Sequence, residues 1–134
     1  MGQLKIKDKS QREGYRPNQA IAILRYAHVS PLKARLVLRE IQGKDVGDAL
    51  YLLRVIPKRA ARIVEKLLKS ALANAEQKGL DLDRLYVKKA VADRGPMLKK
   101  WMPRAHGRAT MVRKRLSHIT IVLEERPEEG KEES

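Results

Sequence analysis

Residues 94–118 read RGPMLKKWMPRAHGRATMVRKRLSH, a stretch of 25 residues that carries eight Lys or Arg and no Asp or Glu. A protein can hold so much unpaired positive charge together only if the charge stays solvated or a polyanion neutralises it. The whole chain is basic as well, with a net charge of +14 over 134 residues. The sequence therefore predicts a phosphate-rich partner.

Two strand signals flank this basic stretch. LYVKKAVAD, from residue 85, has β-branched and aromatic content, and SHITIVLEE, from residue 117, alternates in the manner of a strand. If the two strands pair antiparallel, the stretch becomes a hairpin with its apex near residues 99–101, and each limb of about fifteen residues reaches on the order of 45 to 50 Å. Pro96, Pro103, Gly95 and Gly107 predict an irregular tip. Such an arm is not stable alone in water, so something must hold it.

The rest of the chain predicts one strand and three helices. Residues 19–29 favour a strand, although their alanine content leaves a helix open. Ser30 and Pro31 start a first helix that ends near residue 43. A second helix runs from its cap at Asp45 to the break at Pro57, and a third runs to Gly79 with the clearest apolar stripe. The apolar side of the first helix is predicted to be Leu32, Leu36, Val37 and Ile41, and the stripe of the third is Ala60, Ile63, Val64, Leu67, Leu68, Ala71, Leu72 and Ala75.

The length favours one domain, over residues 19–124, which includes the hairpin at about residues 85–118. Residues 1–18 are predicted to be an extended or disordered basic arm, either floppy or ordered by nucleic acid. Residues 125–134 form an acidic tail, predicted to be disordered. Lys58, Arg62, Lys66 and Lys69 line one edge of the third helix, and the simplest interpretation of them is a solvated face.

Several classes of function are disfavoured. The chain has no cysteine, which excludes disulfides and thiolate metal sites. No apolar run is long enough for a membrane span and no signal peptide is present, so we expect a soluble intracellular protein. His28, His106 and His118 are scattered, and neither metal-ligand spacing nor a glycine-rich phosphate loop occurs. We therefore expect no enzyme activity, no metal and no cofactor.

The basic stretch offers what nucleic-acid binding needs, namely cations, a planar side chain and glycines that allow close approach. Arginine can grip phosphate with two hydrogen bonds and can also stack on bases. Trp101, the only tryptophan, lies where a core role is least expected, which favours a surface or RNA-stacking role over packing. Met97, Leu98 and Met102 could instead pack on a neighbouring protein.

Several strings, in order and spacing, resemble the family of large-subunit ribosomal protein twenty-two from bacteria and organelles. They are SPLKARLVLREIQGKDVGDAL, SALANAE, GPMLKKWMPRAHGRA and RKRLSHITIV, and together they span roughly residues 20–124. The resemblance implies an α+β fold, with three helices packed on a small three-stranded antiparallel sheet and a long extended β-hairpin. It also implies a structural constituent of the ribosome that binds and organises large-subunit ribosomal RNA, while its hairpin tip lines the polypeptide exit tunnel.

The resemblance implies partners and site residues. The expected partners are large-subunit ribosomal RNA, neighbouring ribosomal proteins, and the nascent polypeptide and macrolides at the tip, with no membrane and no homo-oligomer. The expected location is the cytoplasm, in the large ribosomal subunit. The RNA-binding residues are predicted to be Arg16, Arg25, Ser30, Lys33, Arg35, Arg94, Lys99, Lys100, Arg104, His106, Arg108, Arg113, Lys114 and Arg115. The tunnel-lining tip is predicted to be Gly95, Pro96, Met97, Leu98, Trp101, Met102 and Pro103.

The chain also departs from the family pattern. The arm before about residue 16 and the tail after residue 126 lie outside it, and Trp101 stands where a smaller aliphatic residue is expected. Two other hypotheses remain open from the sequence. One is a free-standing nucleic-acid chaperone that uses the same basic arm, and the other is a hydrolase built on His28 or His118, for which no acid-base partner is evident.

Overall fold

A computed structural model describes the backbone of residues 12–103 and 109–127 and the side chains of residues 12–96 and 115–127. In chain order the elements are β1 (Gln19–Ala27), α1 (Pro31–Ile41), α2 (Val46–Val55), α3 (Arg59–Gln77), a short 3-10 helix (Leu82–Arg84), β2 (Leu85–Pro103) and β3 (Ala109–Glu125). These helices and one three-stranded antiparallel sheet confirm the predicted α+β fold class with its long hairpin. No helix in the described part of the chain is long and apolar enough to cross a lipid bilayer.

Helix α1 begins where the Ser-Pro pair predicts. The Ser30 Oγ accepts a hydrogen bond from the backbone N–H of Lys33 at 3.3 Å, and Pro31 opens the first turn. The predicted apolar side is wrong at Leu32 and Leu36, which are 68% and 45% exposed. The face that meets the core instead follows the helical spacing of residues 34, 37, 38 and 41, which turns these two leucines outward. The buried residues of α1 are Pro31, Ala34, Val37, Leu38 and Ile41.

Helices α2 and α3 lie close to their predicted bounds. Asp45 is the N-cap residue of α2, but its carboxylate does not cap the helix and instead accepts a hydrogen bond from Arg126 Nε at 2.8 Å. The helix ends two residues before Pro57, which cannot continue it. Helix α3 buries the predicted stripe, with Ile63 and Leu72 partly exposed at its margin. Its buried residues are Ala60, Ala61, Val64, Leu67, Leu68, Ala71 and Ala75.

The sheet has the order β1–β3–β2, so β3 is the central strand. Strand β1 is a strand, as favoured over a helix, and pairs with β3 from Gln19↔Glu124 to Ala27↔Ser117. Ile119, Ile121 and Leu123 of β3 are fully buried and belong to the same core cluster as the helix stripes. Successive strand residues point to opposite faces, so this alternation places one face of the sheet against the helices.

Strands β2 and β3 continue beyond the sheet as a two-stranded arm, here defined as residues 97–103 and 109–115 with their connection. The pairing runs from Met97↔Arg115 to Pro103↔Ala109, beyond the last pair that β1 makes. The predicted antiparallel arm is therefore confirmed, but its apex near residues 99–101 is wrong, because those residues lie inside β2. The two strands connect through residues 104–108, which lie outside the described part of the chain.

A β-bulge separates the arm from the domain. Between the pairs Arg94↔Ser117 and Met97↔Arg115, β2 advances three residues while β3 advances two. Pro96 lies in this bulge, where a residue without an N–H interrupts the ladder at least cost. A Cβ added at Gly95 would lie 3.1 Å from the backbone oxygen of Leu116, so the close approach of the strands favours glycine. Gly95 and Pro96 thus lie at the base of the arm and not at its tip.

The described parts of both termini are more regular than predicted. Within residues 12–18, the Tyr15 N–H donates to the Arg12 carbonyl at 3.0 Å, and the Gln19 N–H donates to the Arg16 carbonyl at 2.9 Å. Glu125, predicted to start the tail, is the last residue of β3. Residues 1–11 and 128–134 lie outside the described residues, so their predicted extended arm and disordered tail stay predictions.

Candidate nucleic-acid interface

Five of the predicted RNA-binding residues meet at the base of the arm. Ser30, Lys33 and Arg35 come from the start of α1, Arg94 from β2 and Arg115 from β3, and they line two adjoining cavities. The cavities have Ser30 and Arg115 in common. The fold therefore brings together residues that are up to 85 positions apart in the sequence.

The larger of the two cavities, called the base cavity below, lies between α1, α3 and β3 and has a volume of about 640 Å³. Lys58 and Arg59, at the start of α3, and His28, after β1, also line it. No sequence pattern pointed to Arg59, and Lys58 was predicted to lie on a solvated face. Position along the chain could not reveal either, because tertiary packing brings the start of α3 close to Arg115 of β3.

Five cations around these cavities have no ion-pair partner among the described residues. Lys33, Lys58, Arg59, Arg94 and Arg115, the basic cluster, are all exposed. Among the described side chains none of the five forms an ion pair or a side-chain hydrogen bond. No Asp or Glu among the described residues lines either cavity. The cluster is therefore a region of positive potential with no internal counter-charge.

Several cations elsewhere on the domain form ion pairs with carboxylates. Glu65 on α3 lies 3.6 Å from Arg54 Nε, 3.4 Å from Arg62 Nη1 and 3.5 Å from Lys69 Nζ. At the far end of the sheet Arg84 meets Glu125 at 3.3 Å. Glu65 offsets part of the charge of the α3 edge, and Arg62, Lys66 and Lys69 are exposed there, as expected of a solvated face.

Two helices begin at the base cavity, and neither has an acidic residue in its first turn. Helix α3 starts at its N-cap residue Lys58 without any side-chain cap. The free N–H groups and the partial positive charge at a helix start favour an anion. Helix α2, which starts away from the cavity, has Asp48 in its first turn. The backbone therefore adds to the positive potential of the basic cluster.

Arg35 and Arg25 have surroundings that their predicted role did not anticipate. Arg35 Nε donates to the carbonyl of Ala92 on β2 at 3.0 Å, so its side chain holds α1 to the base of the arm. Arg25 is exposed and lies in an irregular step of β1, next to Tyr26 with a φ of 58°. His118 Nδ1 accepts the N–H of Tyr26 at 3.1 Å, which leaves this histidine with a structural hydrogen bond.

Arg16 lies apart from the cluster. Its carbonyl accepts a hydrogen bond from Lys78 Nζ at 2.8 Å, at the other end of α3. A groove of about 970 Å³ opens nearby between β1 and α3, and its lining includes Ile63 and Leu67. That groove is larger than the base cavity, but none of the predicted RNA-binding residues that the structure describes lines it.

The arm contributes basic residues by position. Lys99 pairs with Arg113 and Leu98 pairs with Lys114 across the two strands, and Lys100 and Trp101 lie in β2 opposite Val112 and Met111. Like charges placed opposite each other destabilise a strand pair, so the Lys99–Arg113 register does not favour the ribbon. Met102 also lies in β2, whereas the predicted sites Arg104, His106 and Arg108 lie outside the described residues.

The end of the sheet opposite the arm holds a neutralised polar network. Burial and a hydrogen bond to Glu124 raise the pKa of Tyr86 to about 12. Partial burial opposes ionisation of Glu124, but hydrogen bonds from Tyr86, Gln19 and Lys88 outweigh it and lower the pKa of this carboxyl. No group of three metal-ligating side chains was found among the described residues. This network is a structural feature of the domain end.

Comparisons with known proteins agree with one another. The family model for ribosomal protein L22p/L17e matches residues 22–124. The chain is 91% identical to the large ribosomal subunit protein uL22 of Aquifex pyrophilus and 87% identical to that of Aquifex aeolicus (strain VF5), over 99% of each chain. It is 60% identical to the large ribosomal subunit protein uL22 of Sulfurihydrogenibium sp. (strain YO3AOP1), over 85% of this chain and 98% of the relative.

Proposed function

The chain belongs to the ribosomal protein L22p/L17e family, and from this premise we propose that it is a structural constituent of the large ribosomal subunit that binds ribosomal RNA. The family is one of ribosomal proteins, and the chain is not an enzyme. Its location is then the large subunit of the cytoplasmic ribosome. Large-subunit ribosomal RNA and neighbouring ribosomal proteins are its partners.

The basic cluster is the observation that carries the RNA-binding part of this proposal. A solvated helix face would explain cations along one helix, but these cations come from α1, α3, β2 and β3 and surround two cavities without a carboxylate. Holding five like charges together is unfavourable unless an anion binds there. Phosphate satisfies this need, because Arg and Lys make strong charge-assisted hydrogen bonds to it.

The arm extends the same interface. Beyond the bulge it has neither a third strand nor a helix packed on it in the described part of the chain. A two-stranded ribbon in water lacks a second layer on which to bury a face. Ribosomal RNA around the arm supplies that layer and neutralises Arg113, Lys114 and Arg115 along the returning strand. The arm then helps to organise the RNA during assembly.

The far end of the arm is the part that we propose to line the polypeptide exit tunnel, close to the nascent chain and to bound macrolides. Support for this role comes from the strings GPMLKKWMPRAHGRA and RKRLSHITIV and from the length of the arm. Seven residues beyond the bulge span about 23 Å at about 3.3 Å per residue. Because Gly95 and Pro96 lie at the base, the tunnel segment is proposed to start at residue 97.

The free-standing chaperone and the hydrolase lose support. The relatives are named as large-subunit ribosomal proteins, and His118 already accepts a backbone hydrogen bond through Nδ1. No observation on the described residues favours either alternative.

Co-sedimentation tests the proposal directly. The full-length chain is expressed in a related bacterium, and ribosomes are separated on a gradient before and after a high-salt wash. We expect the chain to remain with the large subunit, because many buried phosphate contacts must break together before it leaves. A chain that sediments free of ribosomes at physiological salt contradicts the proposal.

A further inference from the structure

The base cavity has two kinds of wall. Lys33, Lys58, Arg59 and Arg115 supply cations on its rim, whereas Val29, Leu36 and Ala60 supply apolar surface. Val29 and Ala60 are 9% and 5% exposed, and Leu36 is a leucine left 45% exposed at the cavity wall. A site that bound only phosphate would need the cations alone. The apolar wall points to a ligand that is anionic at one end and flat and apolar at the other.

A single nucleotide has this combination of properties. Its phosphates are anionic and its base has an apolar face, and proteins that read RNA commonly take up unpaired bases that leave the helical stack. The volume of about 640 Å³ lies within the range of roughly 300 to 1,000 Å³ typical of small-ligand sites. The guanidinium planes of Arg59 and Arg115 are able to stack on a base as well as to bind phosphate.

The cavity is preformed. The N–H of Val29 donates to the carbonyl of Ala27 at 2.8 Å, and the carbonyl of Val29 accepts a hydrogen bond from the Ser117 hydroxyl. The carbonyl of Ser30 accepts the N–H of Ala34 at 3.0 Å. These bonds fix the apolar wall to β3 and α1, so little ordering is needed when a ligand enters.

The cavity is also open to a continuing RNA strand. The smaller cavity, of about 260 Å³, adjoins it through Ser30 and Arg115 and leads to Arg94 and Gly95 at the base of the arm. Arg94 therefore lies one cavity away from the base cavity, on the side of the arm. We propose that the base cavity binds one unpaired nucleotide of the ribosomal RNA, with its base against Leu36 and its flanking phosphates on the basic cluster. This inference rests on the proposed function.

The substitution that isolates the base contact is Leu36→Ala, because it removes apolar wall and leaves every cation in place. Affinity of the full-length chain for large-subunit ribosomal RNA is measured over a series of salt concentrations. We expect affinity to fall about fivefold to tenfold, since part of a leucine contact is lost. The slope of log affinity against log salt should not change, because the number of neutralised phosphates stays the same.

Two further variants make the result specific. Leu82→Ala makes the same chemical change at a leucine of similar exposure, 37%, that lines none of the cavities, and it should bind like the wild type. Leu36→Met keeps an apolar wall and should restore most of the affinity. Thermal unfolding of all three variants shows that the changes in affinity do not come from loss of the fold.

Chemical probing of the RNA bases in the complex gives the direct readout. One base should be protected by the wild-type chain and by Leu36→Met but exposed in the complex with Leu36→Ala, while the backbone footprint stays the same. Steep salt-dependent binding with equal affinity and equal base protection in Leu36→Ala and Leu82→Ala overturns the nucleotide cavity and leaves the proposed function standing. Absence of RNA binding by the wild-type chain overturns both. A photo-crosslinker at position 36 that labels a protein and no RNA also overturns the cavity.

Discussion

The same two strands, β2 and β3, build two regions that differ in what holds them. In the domain half, residues 85–94 pair with residues 117–125, β1 adds a third strand, and Ile119 and Ile121 are fully buried in the common core. In the arm half, the pairing continues without β1, and Lys99 pairs with Arg113. Both halves have the same backbone pairing, so pairing does not explain why the two halves differ in what stabilises them. Burial stabilises the first half, whereas under the proposed function ribosomal RNA stabilises the second.

The largest expected effect concerns stability. Ile121→Ala should lower the free energy of unfolding by about 3 kcal/mol, because it opens a cavity in the core of the domain half. Replacing residues 99–113 by a two-residue Asn-Gly turn removes equal lengths from both limbs and keeps the register. This replacement should change the free energy of unfolding by less than about 1 kcal/mol. Urea unfolding of both variants makes the comparison. A shortened arm that costs as much as Ile121→Ala would show that the two halves do not differ in this way.

The next effect concerns RNA affinity. The double variant Arg94→Gln/Arg115→Gln should bind large-subunit ribosomal RNA roughly 10- to 100-fold more weakly, because two charge-assisted phosphate contacts are lost. Its salt slope should fall by about 1.4 to 1.8, at about 0.7 to 0.9 for each contact. Filter binding over a salt series provides both values.

The matched control is Arg54→Gln/Lys69→Gln, which removes the same charge from residues paired with Glu65. This control should keep nearly the wild-type salt slope. Equal slopes for the two double variants would mean that net charge, and not the unpaired basic cluster, governs binding.

A smaller effect is expected at the joint between the two halves. Gly95→Ala should lower the free energy of unfolding by about 1 kcal/mol, because the new Cβ would lie 3.1 Å from a backbone oxygen of Leu116. Gly47→Ala, in α2 and with open space around the added Cβ, should instead raise it by about 0.5 to 1 kcal/mol. Thermal or urea unfolding distinguishes the signs. Two changes of the same sign would contradict a close approach at residue 95.

The smallest effect is a pH dependence at the far end of the domain half. The folded-state pKa of Glu124 is lowered, so its stabilising contribution is present above the unfolded pKa and is lost as the pH falls through the folded value. Glu124→Gln should therefore flatten the acid limb of a plot of unfolding free energy against pH. The pKa of Tyr86 is raised to about 12, so its contribution holds below about pH 10 and is lost as the pH rises towards 12.

Tyr86→Phe tests the alkaline limb of the same plot, and it should remove the loss of stability that occurs as the pH rises towards 12. If the wild type and Glu124→Gln show the same dependence of unfolding free energy on pH, ionisation of Glu124 does not stabilise the fold. Neither variant should alter RNA affinity, because the network lies at the end of the sheet away from the basic cluster.

Local patterns predicted the elements well, because each has a physical cause that is visible in a short window. The three-and-four spacing of α3, the Ser30–Pro31 start of α1 and the alternation of β3 are all found where the sequence places them. Long-range register was predicted less well. The apex was wrong because Leu85 pairs with Glu125 and irregular steps add residues to β2, and neither is set by local preference.

The candidate site divides in the same way. Charge density singled out Arg94 and Arg115, and the family resemblance singled out Ser30, Lys33 and Arg35. Lys58 and Arg59 went unrecognised as site residues, because only the packing of the start of α3 beside the arm gives them a role. Leu36 was assigned to the core, since exposed and buried leucines look alike in sequence, but it is exposed and forms part of the apolar wall of the base cavity.

The bulge at Gly95 and Pro96 acts as a phase shift between the domain and the arm. A strand exchanges its two surfaces with every residue added or removed, so one residue in the bulge decides which side of the arm each later position occupies. Loss of a single residue there would leave the composition, charge and length of the arm nearly unchanged, yet would rotate its sequence by half a turn relative to the domain. Insertions and deletions in this stretch should therefore be tolerated only in compensating pairs, which restore the original facing of the arm.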